Sequence, residues 1–159
     1  MDTELIWPGT LSLLLVWGAV SDIKSRILPN WLAAVLLLLG LAYAFTSGGL
    51  TGLGWHAAHF AVALIAGMGL FAAKIFGGGD VKFYAGMASF FPLSMGLDLL
   101  LYVVLVGGAL AIIWLVGKWI IPGIKEITKG IYGKLPYGVA IAAGGISLAW
   151  STPIAAWHQ

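Results

Sequence analysis

The chain has no cysteine, and among its 159 residues it carries only eight Lys and Arg and six Asp and Glu. The missing thiols exclude a disulfide framework, a Cys-ligated zinc site and a thiol nucleophile together. The shortage of charge excludes water as the solvent of most of the surface, because a soluble domain of this size needs a polar coat that so few charges cannot supply. A net charge of +2 is too small to argue for nucleic acid as a partner. A basic leading region is lacking too. The chain begins Met1-Asp2-Thr3-Glu4, so the apolar run from Leu5 to Val20 reads as a retained helix rather than a cleaved secretory signal. No internal repeat, low-complexity tail or change of composition marks a second domain, and residues 1–159 read as a single membrane-embedded domain.

What is present is apolar: 61% of the residues are hydrophobic and the mean hydropathy is +1.02. The expected fold class is an all-α membrane protein whose main partner is the lipid bilayer. A spanning helix needs about 20 mostly apolar residues. That template cuts the chain into six segments, Leu5 to Ser21, Trp31 to Phe45, Trp55 to Ala73, Phe83 to Leu97, Leu99 to Val116 and Tyr137 to Trp157. The fourth is short and contains Pro92, so it is expected to be tilted, broken or sheltered by its neighbours. Between Lys118 and Pro136, Ile120, Ile121, Ile124, Ile127 and Ile131 recur opposite Lys125, Glu126 and Lys129, the pattern of a short interfacial helix.

Basic residues orient the chain. Lys24 and Arg26 follow the first segment, Lys74 and Lys82 flank the turn after the third, and Lys118, Lys125, Lys129 and Lys134 follow the fifth. The charge rule puts all three groups on the cytoplasmic side and both termini on the other. Trp7, Trp55 and Trp157 then mark the outer interface and Trp31 and Trp119 the inner, while Trp17, Trp114 and Trp150 fall inside segments as core.

An ionisable side chain within a span costs about 2.5 to 3.5 kcal/mol on insertion scales, so each one calls for an explanation. Asp22 closes the first segment in Ser21-Asp22-Ile23-Lys24-Ser25-Arg26-Ile27-Leu28-Pro29-Asn30, and Asp80 follows three glycines in Gly77-Gly78-Gly79-Asp80-Val81-Lys82. Both are expected at the cytoplasmic boundary. Two carboxylates sharing a partly dry site do not both ionise easily. The charged member can take a proton from water while the protonated member donates to a scissile carbonyl, a hydrolysis that needs neither nucleophilic side chain, metal nor cofactor. Gly77, Gly78 and Gly79, lacking Cβ atoms, let a substrate backbone approach and accept dihedral angles that aim Asp80 inward. The plainer reading makes Asp22 a helix-end residue offset by Arg26 and the glycine run a flexible turn, but it does not account for two acids at one side and one depth. Lys24, Arg26 and Lys82 are candidate supporting residues, with orientation of the chain as their default role. His56 and His59 have a spacing that can hold a metal, yet lie at the other end from the aspartates. Asp98 is expected near that other end as well.

These motifs resemble the type IV prepilin peptidases, a family of GxGD aspartyl peptidases. The late segment Leu135-Pro136-Tyr137-Gly138-Val139-Ala140-Ile141-Ala142-Ala143-Gly144 is most similar to the short branch that serves Flp, or tight-adherence, pili, whose members are often called CpaA or TadV. The resemblance runs over nearly the whole chain. It implies a catalytic pair, Asp22 and Asp80, in the bacterial inner membrane facing the cytoplasm. The implied substrate is a prepilin precursor, cut between its short basic leader and its apolar helix, with pilus assembly machinery as a candidate partner. Longer members add an N-terminal cytoplasmic domain and methylate the new N-terminus; peptidase activity without methyl transfer is expected here. Two other readings stay open, a presenilin-like protease cutting within a helix, and a transporter or scaffold subunit using the acids for ion coupling or packing.

Overall fold

The computed structural model describes residues 3–120 and 137–158, which are helical with short connections and, among the described residues, no strand. The α-helices are α1 (Thr3–Ser25), α2 (Asn30–Ala72), α3 (Gly78–Ala88), α4 (Gly96–Ile120) and α5 (Tyr137–Ser151), with 3-10 turns at Leu93–Met95 and Ile154–His158. Among the described residues, three helices are long and apolar enough to cross a membrane, α1, α2 and the run that continues from Leu93 through α4. This is an all-α membrane protein. From residue 121 onward, the expected interfacial helix lies outside the described residues.

Helix α2 contains two of the expected segments. As one straight rod its 43 residues would be about 65 Å long, twice the thickness of a hydrocarbon core. It is not straight. Gly49 takes φ 59° and ψ −147°, a left-handed backbone that glycine adopts without steric cost. Tyr43 and His56 lie on either side of it, and their sequence separation would put them about 20 Å apart on a continuous helix. Their ring centroids are 5.9 Å apart, so the chain folds back at Gly49 into two arms. Gly52 makes the reversal tight, since a Cβ there would fall 2.8 Å from the carbonyl oxygen of Ala44. The connection expected over Thr46 to Gly54 is therefore helical apart from one residue, because a single left-handed glycine suffices to turn the chain.

The expected fourth segment, Phe83 to Leu97, is broken: its first part lies in α3, and the rest in the 3-10 turn and the start of α4, with α3 itself sheltered. Every residue from Ala85 to Pro92 is buried, and the helix packs against both arms of α2 and against α5. Small residues make the fit. A Cβ on Gly86 would lie 2.8 Å from the Ala33 carbonyl oxygen, and Gly67 of the second arm leaves room for Val81. Ser89 donates from Oγ to the carbonyl of Gly86 at 2.7 Å and to that of Leu36 at 3.3 Å, satisfying its hydroxyl without water. Around this helix lie the fully buried Leu11, Leu15, Leu32, Leu36, Phe90 and Leu148. Helix α3 ends ahead of Pro92, which begins the 3-10 turn that leads into α4.

One end of the bundle is closed by aromatic rings and two histidines. Trp7 packs on Tyr43 at 5.2 Å, and Trp157 packs on Tyr43 at 5.8 Å and on Phe91 at 4.7 Å. The ring nitrogens of His56 each lie 2.8 Å from a carbonyl oxygen, Nδ1 from that of Ser89 and Nε2 from that of Trp157. Nδ1 of His59 lies 3.0 Å from the carbonyl oxygen of Phe91. A neutral imidazole donates through one nitrogen and an imidazolium through both. Among the described residues no cluster of three metal-ligating side chains exists, and these histidines tie together chain segments instead. The tryptophans depart from expectation. Trp157 is wholly buried, whereas Trp17 and Trp150 are more than half exposed. A lipid solvent puts no penalty on an outward indole: Trp17 meets Trp31 edge-on, and Trp150 donates from Nε1 to Ser12.

Replacing His56 by Ala would remove the ring that faces two buried carbonyls, and each hydrogen bond that the ring donates there costs about 1 to 3 kcal/mol when its acceptor is left unsatisfied. Thermal unfolding in detergent micelles is expected to shift to lower temperature, and by less for His59→Ala, which releases one carbonyl. Equal transitions for His56→Ala and the parent protein would contradict this account of the corner.

Candidate active site

The opposite end of the bundle gathers three chain ends. Helix α1 closes there on its own backbone, with Arg26 in the left-handed region at φ 56° and its N–H donating to the carbonyl of Asp22 at 3.0 Å. Ser21 donates from Oγ to the carbonyl of Ile27 at 2.7 Å, and Ser25 donates to that of Ser21 at 2.8 Å. The basic turn after α1 is thus fastened back onto the last turn of the helix. Asp22 sits in that last turn, facing inward, with 6% of its surface exposed.

Helix α3 begins at the same end. Asp80 occupies its first turn and its Oδ2 accepts the N–H of Gly77 at 3.2 Å, the reach-back of a capping carboxylate. Asp80 is half-buried. The glycines ahead of it serve by what they lack. A Cβ on Gly77 would lie 2.8 Å from Asp80 Oδ2, whereas one on Gly79 would make ordinary contact with Leu28 at 3.4 Å. The expectation that these glycines supply unusual dihedral angles is corrected: among the described residues only Gly49 has a glycine φ in the positive region, and Gly77 is extended at φ −76°. Close approach rather than backbone freedom is what a side chain would disturb here.

The third chain end is the start of α5. Gly138 donates its backbone N–H to Oδ2 of Asp22 at 2.8 Å, a buried bond. The residue has to be small, because a Cβ would fall 2.8 Å from that same oxygen and 3.0 Å from the Asp22 Cβ. Beside it the Tyr137 ring packs on Phe76 at a centroid distance of 5.3 Å. Phe76 precedes the glycine run, so this pair bridges the starts of α3 and α5. Sequence reasoning missed Gly138, Tyr137 and Phe76 as parts of the site. Gly138 lay within the segment that carried the resemblance, but a backbone donor has no side-chain signature.

Electrostatically the two acids belong to one site. Asp80 is pushed above the ordinary carboxylate range, first by burial and second by the charge of Asp22, with the N–H of Gly77 opposing. The charge of Arg26 reaches Asp22 in turn. The other basic residues stand further off. Lys82 donates from Nζ to Asn30 Oδ1 at 3.0 Å and so fastens α3 to the start of α2. Lys24 is exposed. A buried acid that accepts a backbone N–H, beside a second acid held toward its neutral form, is an arrangement suited to moving protons.

Residues 10–112 match the model of the type IV leader peptidase family. The chain belongs to that family. The matched stretch contains Asp22, the glycine run and Asp80, and ends within α4, ahead of Gly138. No match was found among curated proteins or solved structures. Membership makes the chain a peptidase and supports a type IV leader peptidase function.

In this peptidase, Gly138→Ala would keep the backbone N–H yet drive a methyl group into the Asp22 carboxylate. A displacement of an ångström at a reacting group can cost about 100-fold in rate. Peptidase activity is expected to fall by that order while helical content and the thermal transition stay near those of the parent. Full activity in Gly138→Ala would show that the contact with Asp22 does not position a working group.

Proposed function

We propose that this peptidase is a membrane aspartic endopeptidase that removes the short basic leader of Flp-type prepilins, with Asp22 and Asp80 as its catalytic pair. The observation that carries the reading is the convergence of two acids far apart in the chain: Asp22 accepts the N–H of Gly138, and the neighbouring Tyr137 packs on Phe76 just ahead of the glycine run and Asp80. An inward, paired carboxylate in a membrane protein is costly unless it has work to do.

The geometry suggests how the work is divided over one proton. With the pair singly protonated, the charged carboxylate takes a proton from a water molecule as the water oxygen attacks the scissile carbonyl carbon. The protonated carboxyl gives its proton to the carbonyl oxygen, so no separated oxyanion forms. Collapse of the tetrahedral diol then expels the amine, which takes a proton from the carboxyl that first acted as base, while the other carboxylate takes a proton from a diol hydroxyl as the carbonyl re-forms, restoring the singly protonated pair. The Gly138 and Gly77 N–H groups hold the two carboxyl groups in place through this exchange. Close approach at Gly77, Gly78 and Gly79 leaves space for an extended substrate backbone beside Asp80.

Several features favour a leader peptide as the substrate. Lys24, Arg26, Lys74 and Lys82 lie at the same end as the aspartates, and the charge rule assigns that end to the cytoplasm. A basic leader is retained on that side by the same rule, which brings its junction with an apolar helix to the level of the site. This gives the protein a location in the bacterial inner membrane, facing the cytoplasm, and pilus assembly machinery as the consumer of its product.

The test is co-expression with small proteins that join a basic leader to an apolar helix, with mass measurement of their N-termini. Asp22→Asn and Asp80→Asn are each expected to cut the cleavage rate by about 100- to 10,000-fold while the protein remains inserted. Retained cleavage in either variant would end the paired-acid mechanism. The pH dependence has a definite sign. An acid whose pKa is raised keeps its proton to higher pH, so the rate is expected to fall on the alkaline side as Asp80 ionises, above the range of an ordinary aspartate. A rate unchanged through that limb would mean that no shared proton is involved.

A further inference from the structure

A cavity of about 430 Å³ opens at Asp80 and runs away from the site along the second arm of α2. Its near end is formed by Asp80 and Phe76, its far end by His59 and Leu93, and α4 forms its other wall. His59 and Leu70 lie along the same wall, and the helix between them rises about 16 Å, half the thickness of a hydrocarbon core. Apart from Asp80 at one end and His59 at the other, apolar groups dominate the lining. His59 already faces the carbonyl of Phe91.

The two walls do not close on each other. The second arm of α2 packs on α3, and α4 packs on α5, with no substantial packing between α2 and α4. Small residues, Ala63, Ala66, Gly67 and Gly96, keep the floor shallow, while Val62, Leu97 and Val104 stand out from the rims, each more than half exposed. Small residues between helices mark places where another helix can come close. A slot between two spans that starts at a reactive carboxyl is continuous with the site. It is the apolar path by which a bound chain can leave Asp80 into the membrane.

We infer that this groove receives the first three turns of the substrate's apolar helix, the segment that follows the bond to be cut, with Asp80 at its mouth. The inference rests on the proposed function. Under that reading the cut falls just ahead of an apolar helix, and the groove supplies a lipid-depth seat that begins at the cutting group. About eleven helical residues match its length. One face of the helix fits the slot and the other stays in lipid, so the groove selects for an apolar face at the start of the helix rather than for a particular side chain at the cut.

Crosslinking separates this inference from the function beneath it. A photoreactive benzophenone side chain is introduced at Val62, Leu97 or Val104, and for comparison at Leu13, an exposed position on α1. Each is built into the Asp80→Asn protein in vesicles of phosphatidylethanolamine and phosphatidylglycerol, with the precursor found cleaved in co-expression. Crosslinks to the precursor from the three rim positions and not from Leu13, mapping to the first eleven or so residues after the cut, are the expected result. With Asp80 intact, Ala66→Trp is expected to raise KM for that precursor by about tenfold or more with kcat retained. Precursor that is cleaved by the parent protein but crosslinks from no rim position, or only lipid captured there, overturns the groove assignment and leaves the function standing. If the parent protein cleaves no precursor, the function falls and the inference falls with it.

Discussion

A carboxyl group held among apolar helices must be met by a donor from the protein, and among the described residues the backbone N–H of Gly138 donates to Asp22. The bond joins the end of α1 to the start of α5 across most of the chain length. Helix α5 in turn packs on α1, α3 and α4, so the contact ties the site into the packing of the bundle. It also explains why a glycine stands there, because the N–H can approach only where no Cβ intervenes. The acid, its donor and the packing around them are one constraint seen from three sides.

The remaining polar interactions of the bundle obey the same economy. Ser89 answers two carbonyls, the rings of His56 and His59 face three more, and Asp80 turns back to its own helix start. These side chains find their partners close at hand, as an apolar solvent demands. The two aspartates differ in how completely this is done. Asp22 is enclosed and bonded, while Asp80 is half-buried at the mouth of an open cavity.

Much of this was legible in the sequence because the membrane simplifies the code. Apolar runs of spanning length located α1, both arms of α2 and α4, and Pro92 together with the shortness of its segment marked the stretch around it as irregular, which is where α3 ends and the chain turns into α4. Asp22 and Asp80 stood out because charge is rare in such a chain. What could not be read was carried by backbone or by shape. Gly49 looks like any of the other glycines until its dihedral angles are known, and Gly138 acts through an N–H common to nearly every residue. The tryptophans misled for a different reason. Period and depth say how far along a helix an indole sits, but not which way it faces, and in lipid an outward ring costs little. Trp17 and Trp150 therefore face out, while Trp157, expected at an interface, is enclosed by Tyr43 and Phe91.

The reversal at Gly49 bears on how the protein is made. Nothing charged lies between Asn30 and Ala72, so the two arms can enter the bilayer together as a hairpin and return the growing chain to the side from which it left. That return brings Asp80 to the same end as Asp22 before α4 and α5 have left the ribosome. The acids are neighbours early, yet the N–H that holds Asp22 belongs to α5, which follows both of them in the chain. A chain made only as far as α3 therefore has both acids without the bond that holds Asp22.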